Sequence, residues 1–181
     1  GMEAMATAAD GDLAGSVASA ARGDEIAFAR IIAAYHDDLR RVCGFVMRDG
    51  TLAEDAAQNA WSIAWRKLGS LREPDRLRPW LMRIAVNEAK KLMKDRGRRS
   101  RTEIPVDVSR VAGGRDPATG IDALDALAAV DRLDADDRAL LVMRYVLGFD
   151  STELSAVVGL SPSGTRARLQ RLLQRLRQEL D

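Results

Sequence analysis

The sequence is poor in the residues on which disulfide, metal and nucleophilic chemistry depend. It contains one cysteine, Cys43, and one histidine, His36. A single cysteine excludes an intramolecular disulfide, and neither residue has the sequence partners that a zinc site or a nucleophile–base pair requires. Because Cys43 lies in an apolar stretch between Val42 and Phe45, we expect a buried small hydrophobe. No phosphate-binding loop motif occurs either, so the sequence predicts no cofactor, no metal and no enzymatic activity.

Long apolar runs are also missing. No segment approaches the roughly 20 apolar residues that a membrane-spanning helix needs. The first 21 residues contain no Lys or Arg, whereas a secretory signal begins with basic residues. We therefore expect a cytoplasmic protein that does not insert into a membrane.

Charge of one sign is scarce in some parts of the chain and abundant in others. The net charge is only +1, but residues 24–101 carry 17 Lys and Arg against 11 Asp and Glu. Residues 138–181 carry 7 against 4, whereas residues 102–137 carry 3 against 9. Two basic modules separated by an acidic segment indicate two separate contacts with a polyanion.

The C-terminal segment Ser151–Asp181 has the pattern of two helices joined by a glycine turn. Ser151 is predicted to cap a short helix that ends at Gly159, because glycine adopts the left-handed conformation of a helix C-terminus without steric penalty. Ser161 then caps a second helix with Pro162 at its first position. This pattern predicts a helix-turn-helix whose second helix enters a DNA major groove. The alternative is a basic, solvated helix at the end of a bundle.

The last helix has one apolar side and one polar side. Its leucines recur at helical spacing, at Leu169, Leu172, Leu173, Leu176 and Leu180. The candidate DNA contacts lie away from that stripe or at its flanks: Ser163, Gly164, Arg166, Ala167, Arg168, Gln170, Arg171 and Gln174. Arg171 is expected to donate two hydrogen bonds to guanine, and Gln170 or Gln174 to pair with adenine. Flanking arginines, among them Arg168, are expected to hold phosphates.

The first basic module also has helical patterns. Apolar residues keep a helical period from Asp24 to Arg48, and Thr51–Glu54 is a capping box predicted to open a second helix. A third helix is expected to begin near residues 75–77 and to run to about Arg96. No stretch alternates apolar and polar residues as a strand does, so the chain is predicted to be all-α.

The chain is predicted to consist of two small helical domains on a flexible linker. Residues 1–23 are an N-terminal tail and residues 24–101 the first domain. Residues 102–121 are rich in proline and glycine and lack periodicity, which is typical of a linker. Residues 122–181 form the second domain.

Two motifs of the first domain are specific in combination. One is Ala53–Trp61 followed by Trp65, with the sequence AEDAAQNAW and then W; the other is Arg78–Asn87, RPWLMRIAVN. Together they resemble region 2 of the extracytoplasmic-function group of sigma-70-type RNA polymerase sigma factors. The resemblance implies that the first domain is a three-helix-type bundle.

The second domain resembles region 4 of the same group, a helix-turn-helix domain. Arg138, the turn Arg144–Gly148 and the terminal helix carry this resemblance. The two resemblances together cover about residues 24–100 and 122–180. In the family, region 4 docks on the −35 promoter element and on the polymerase β flap, so the last helix is implied to read the −35 element.

The resemblance implies a polymerase-binding surface on the second helix, where the family binds the clamp helices of the β′ subunit. Its candidate residues are Glu54, Asp55, Gln58 and Trp61. A carboxylate and an amide around an aromatic anchor are the composition expected of an interface core. Alternatively, Trp61 and Trp65 pack inside the bundle, which is the interpretation we favour for Trp65.

A further surface is implied for the −10 promoter element. Its candidate residues are Leu71, Arg72, Arg83, Asn87, Lys90 and Lys91. On the third helix, the cations of this set lie on one broad face on either side of a single amide, that of Asn87. Cations hold the phosphates of a separated strand, while an amide and an apolar loop pocket read a splayed base. In the family this region captures an unstacked base and starts promoter melting, so Asn87 is implied as the base reader; the alternative is an ordinary surface asparagine.

The implied function is that of a promoter-specificity subunit of bacterial RNA polymerase without catalytic activity of its own. Its implied partners are the polymerase core, promoter DNA and an anti-sigma factor. Two other classes stay open. A stand-alone helix-turn-helix regulator would bind a palindromic site as a dimer without polymerase. A helical adaptor or anti-sigma-like protein would have no direct DNA role.

Overall fold

A computed structural model describes residues 13–99 and 120–181. The described residues form helices and no strand, which confirms the all-α prediction. The helices are α1 (residues 13–21), α2 (Glu25–Met47), α3 (Gly50–Lys67), α4 (Leu77–Arg99), α5 (Gly120–Asp131), α6 (Ala135–Tyr145), α7 (Ser151–Val158) and α8 (Pro162–Leu180). Two 3₁₀ turns, Leu68–Ser70 and Pro74–Arg76, connect α3 to α4. Most of the predicted linker, residues 102–119, lies outside the described residues, and its last two residues begin α5.

The cap of helix α3 lies two residues before the predicted one. The carboxylate of Asp49 accepts hydrogen bonds from the backbone N–H groups of Thr51 at 2.9 Å and Leu52 at 3.3 Å. The prediction that Thr51 opens this helix is therefore wrong. Asp49 lies at the correct distance for capping and adds a negative charge at the positive end of the helix dipole.

The cap of α7 is likewise one residue earlier than predicted. Asp150, not Ser151, accepts from the backbone N–H of Glu153 at 2.8 Å, and the Glu153 carboxylate accepts from the Asp150 N–H at 3.3 Å. The rest of the predicted turn is confirmed. Gly159 ends α7 with φ of 74°, and Ser161 caps α8 by accepting from the Gly164 N–H at 3.0 Å.

Helices α2, α3 and α4 form the first bundle, and α1 adds Val17 and Ala20 to its core. Cys43 lies in this core with no exposed surface, as the sequence predicted. Burial, with a smaller contribution from the charge of Glu88, raises the pKa of its thiol to about 12. The thiolate is therefore strongly disfavoured, and Cys43 acts as a small apolar side chain.

The second domain packs directly against the first bundle. Val42 and Val46 of α2 belong to the same continuous apolar cluster as Leu140 and Met143 of α6 and as Phe149. Because side chains from both domains share one core, separating the domains exposes apolar surface to water.

Arg138 is the central polar contact of this domain junction. Its side chain is 4% exposed, and its Nε and Nη2 donate to the Val46 carbonyl at 3.0 and 2.7 Å. Its Nη1 donates to the Leu133 carbonyl. Burial, followed by the charge of Arg48, lowers the pKa of Arg138. The guanidinium thus satisfies the Val46 carbonyl at the C-terminal end of α2, where the helix dipole favours a cation, and the Leu133 carbonyl after α5.

Three cations of the first domain also contact the second domain. Arg48 Nε lies 2.7 Å from Asp131 Oδ1, and Lys90 Nζ lies 2.9 Å from Asp136 Oδ1. Arg78 donates to the Leu147 carbonyl and lies with its guanidinium carbon 4.2 Å from the centre of the Phe149 ring. The junction therefore has an apolar centre. Around that centre, basic side chains of the first domain contact acidic side chains and a backbone carbonyl of the second domain.

Candidate polymerase and nucleic-acid interfaces

Helix α8 separates its side chains as the leucine spacing predicts. Leu169 and Leu172 are buried and Leu173 and Leu176 are partly buried, whereas Leu180 at the end of the helix is 48% exposed. The candidate −35 contacts that are exposed are Ser163, Arg166, Gln170, Arg171 and Gln174, and Gly164 and Ala167 are partly exposed. Small side chains at 164 and 167 leave a shallow surface between the longer polar side chains.

Arg168 has a different environment from the other arginines of α8. Its Nε lies 3.0 Å and its Nη2 2.9 Å from Asp137 Oδ1, and its side chain is 28% exposed. Asp134, the cap of α6, lies 3.9 Å from the same guanidinium. The sequence placed Arg168 among the phosphate contacts, but in this arrangement its charge is neutralised within the domain. Arg166, two residues earlier and therefore about 200° around the helix, is an exposed cation on the other side of α8.

Arg83, Asn87 and Lys91 recur every four residues along α4, and all three are exposed. Such spacing places them on one helix face. Arg72 is exposed in the loop before α4, and Leu71 is half-buried against the core. Lys90 differs, because its ammonium pairs with Asp136 of α6. Three of the six candidate −10 residues thus share one face of α4, Leu71 and Arg72 precede this helix, and Lys90 is taken up by the domain junction.

The candidate polymerase face of α3 contains Asp55 and Gln58, both exposed, and Glu54, half-buried. The predicted position of Trp61 on this face is wrong. Trp61 is 6% exposed and packs edge-on against Phe28 with ring centres 5.8 Å apart. Six residues along an α-helix correspond to a rotation of about 120° from Asp55, which turns Trp61 into the core.

Trp65, expected in the core, is the more accessible of the two tryptophans. Its residue is 37% exposed, although its ring centre lies 4.9 Å from that of Phe28. Seven residues separate it from Gln58, so both lie on the same side of α3. The aromatic group available to a partner on this helix is therefore Trp65.

His36 joins α2 to the candidate polymerase face, which the sequence did not indicate. The Trp61 indole Nε1 donates to His36 Nδ1 at 3.1 Å, and His36 Nε2 lies 3.1 Å from Glu54 Oε1. Gln58 Nε2 donates to the same oxygen at 3.4 Å. Trp61 and Glu54 are 25 and 18 positions from His36 in the sequence, and only the packing of α2 on α3 brings the three residues together.

The described helices contain neither a membrane span nor a metal cluster. None of them is long and apolar enough to cross a bilayer. Within residues 13–99 and 120–181, no group of three or more His, Cys, Asp and Glu side chains is arranged to hold a metal ion.

Comparisons with known proteins match both domains. The profile of Sigma-70 region 2 matches residues 31–99, and that of Sigma-70 region 4 matches residues 123–176. The RNA polymerase sigma factor CarQ of Myxococcus xanthus is 33% identical over 147 residues, which are 77% of this chain and 83% of CarQ. RfaY of Xanthomonas campestris is 30% identical over 168 residues, 89% of this chain but only 42% of RfaY.

Solved structures show the same arrangement of helices. The structure of CnrH in complex with the cytosolic domain of CnrY has a TM-score of 0.71 at 26% identity and covers 94% of this chain and 97% of CnrH. The structure of RpoE with the anti-sigma factor NepR from Bartonella quintana has a TM-score of 0.64 at 25% identity over 84% of this chain and 96% of RpoE. The chain belongs to the extracytoplasmic-function group of sigma-70-type RNA polymerase sigma factors.

Proposed function

We propose that this protein is a promoter-specificity subunit that brings core RNA polymerase to its start sites and has no catalytic activity of its own. The observation that carries the proposal is the presence in one chain of both sigma regions, each with an exposed polar face. Residues 24–101 and 122–181 act as two working domains, with residues 1–23 as a tail and 102–121 as a linker. The protein acts in the cytoplasm, where its polymerase and promoters are.

Each face has one task in this proposal. Glu54, Asp55 and Gln58 bind the β′ clamp of the polymerase, with Trp65 at the edge of the contact. The exposed α4 face with Asn87 holds and reads the separated −10 strand, because its cations bind phosphates and its amide can bond to a base. Helix α8 enters the major groove of the −35 element, where Arg171 reads guanine, and its domain docks on the β flap.

The proposal requires the two domains to separate. A chain of this size is about 40 Å across when compact. The −10 and −35 elements lie about 25 base pairs apart, roughly 80 Å along B-DNA. In the closed arrangement the first turn of α6 also occupies a basic side chain of the candidate −10 surface, because Asp136 pairs with Lys90. Binding to the polymerase must therefore be coupled to opening of the junction.

An anti-sigma factor is a proposed partner. The relatives with the same arrangement of helices were solved with the cytosolic domain of CnrY and with the anti-sigma factor NepR. A protein that binds both domains of the closed form would keep them together and so hold this chain away from the promoter.

Run-off transcription with sigma-free core polymerase on a genomic promoter library tests the proposal. The expected result is a set of transcripts with a common −35 and −10 sequence that appear only when this protein is added. A variant carrying Asp55→Ala and Gln58→Ala should lose these transcripts while keeping its fold, because it changes exposed side chains only. Tight binding of the isolated protein to a palindromic site, with no effect on core polymerase, would instead identify a dimeric regulator.

A further inference from the structure

Glu54 and Gln58 of the candidate polymerase face are connected to the core through one side chain, His36. We propose that His36 is a positioning residue for polymerase binding, which holds the Glu54 carboxylate in the orientation that a basic side chain of the polymerase accepts. This inference rests on the proposed function, because it assigns the residue that prepares that same surface.

The tautomer of His36 is fixed by Trp61. An indole N–H can only donate a hydrogen bond, so His36 Nδ1, 3.1 Å away, must accept it and carry no proton. The neutral ring then carries its proton on Nε2. Trp61 is 6% exposed and held by Phe28, so the orientation of the imidazole is set from inside the core.

The Nε2–H of His36 in turn fixes Glu54. His36 Nε2 lies 3.1 Å from Glu54 Oε1, and Gln58 Nε2 donates to the same oxygen at 3.4 Å. Both contacts use Oε1 of Glu54, whose side chain is 43% exposed. The carboxylate is thus held through one oxygen while the other is available, beside Asp55, to a cationic partner group.

Such an arrangement lowers the cost of binding. A glutamate on a helix surface otherwise loses rotamer freedom when it forms an intermolecular ion pair. Here the carboxylate is oriented before the partner arrives, so the loss is already incurred on folding. Removing the His36 donor should therefore weaken polymerase binding about tenfold, the order expected for a hydrogen bond to a charged group.

Two substitutions separate this role from simple packing. His36→Gln keeps a donor near the position of Nε2 but loses the acceptor for Trp61. His36→Asn keeps an acceptor near Nδ1 but loses the donor to Glu54. If His36 positions Glu54, the equilibrium dissociation constant for core polymerase should stay within about threefold for His36→Gln and rise about tenfold for His36→Asn.

The opposite order of affinities, with His36→Asn tolerated and His36→Gln impaired, would show that His36 serves only Trp61 and would overturn the inference. Thermal unfolding of each variant allows the affinities to be compared at equal folded fraction. His36→Asn should also have no further effect in a Glu54→Ala background, since the contact that it removes is then already absent. Equal losses in the two backgrounds would contradict the proposal. If the unmodified protein does not bind core polymerase at all, the proposed function itself fails, which is a different result from a neutral His36→Asn.

Discussion

Asp49 links two helices of the first domain through one carboxylate. It caps α3 and pairs with Arg96 of α4. Burial opposes ionisation of this carboxylate, but the hydrogen bonds from Arg96 and from the backbone of Thr51 and Leu52 outweigh it, so the pKa of Asp49 is lower than its ordinary value. Ionised Asp49 therefore stabilises the folded state.

The pH dependence of stability tests this contact with Asp49→Asn. Asparagine still caps a helix, so the substitution removes mainly the ion pair with Arg96. Because the pKa of Asp49 is lower in the folded protein than its unfolded value of about 4, ionised Asp49 stabilises the folded state at any pH above about 4. This stabilisation disappears as the pH falls through the folded pKa. At pH 7 the variant should lose about 1 kcal/mol, a figure reduced for the partial exposure of Arg96. Urea unfolding at pH 7 and pH 3 measures the difference in the free energy of unfolding between the variant and the unmodified protein. The same difference at both pH values would contradict the prediction.

At the scale of elements, the turn between α7 and α8 depends on backbone conformation. Gly159 has φ of 74°, and a Cβ added there would meet no atom within 4 Å. Gly159→Ala should therefore destabilise the protein by about 1 kcal/mol through backbone strain alone. Gly50→Ala is the matched control, since Gly50 begins α3 with equal free space and an ordinary φ. It should be neutral or stabilising. The shift in denaturant midpoint is measured for each variant. Equal shifts would show that backbone conformation at Gly159 does not account for the loss of stability.

Helix α8 should divide its arginines between reading and holding DNA. Arg171→Ala should cost roughly 1–3 kcal/mol on the preferred −35 sequence and little on mismatched ones. Arg166→Ala should weaken all sequences alike and reduce the salt dependence of binding by about one unit of slope. Holoenzyme binding to a set of −35 variants at several salt concentrations separates the two effects. Parallel losses for both substitutions would refute the division.

The elements that the sequence predicted correctly are those with strong local signals. The leucine stripe of α8, the glycine that ends α7 and the N-terminal cap of α8 are set by neighbours within a few residues, and their predictions are confirmed. Where two polar residues were adjacent, as at Asp150 and Ser151, the pattern alone did not decide which one caps. Trp61 and Trp65 were assigned to the wrong environments because periodicity gives the relative angle of two residues but not which angle faces the core. The predicted roles of the DNA and polymerase contacts remain predictions.

At the scale of the whole molecule, the domain junction was outside the reach of sequence reasoning. Arg138 marked region 4, but its carbonyl partners lie at Val46, 92 residues earlier, and at Leu133. Only the folded arrangement of both domains brings Arg138 to the Val46 carbonyl. His36 is a parallel case, since its partners also come from another helix.

Arg138→Met should loosen this junction. Methionine preserves much of the apolar side chain but leaves the carbonyls of Val46 and Leu133 without their donor, which costs more when they stay buried. Energy transfer between dyes on Ser62→Cys and Gln178→Cys, both exposed positions, should fall in the variant, because the open population rises. Cys43 stays unlabelled, since it is buried and the pKa of its thiol is raised.

Arg166→Met is the control for the dye experiment, since Arg166 is an exposed cation of the same domain. It should leave the transfer efficiency unchanged. The same efficiency in Arg138→Met as in the unmodified protein would show that the shared apolar core holds the domains together without the arginine.

The buried guanidinium at the junction also sets a threshold for activity. Any free energy that favours the closed form is subtracted from the apparent affinity for polymerase, tenfold for every 1.4 kcal/mol or so. A substitution at position 138 can therefore change how much of this protein is needed to occupy the enzyme while every residue that meets DNA stays the same. The concentration of this protein at which transcription begins would then be set at the domain junction, independently of which promoters are recognised.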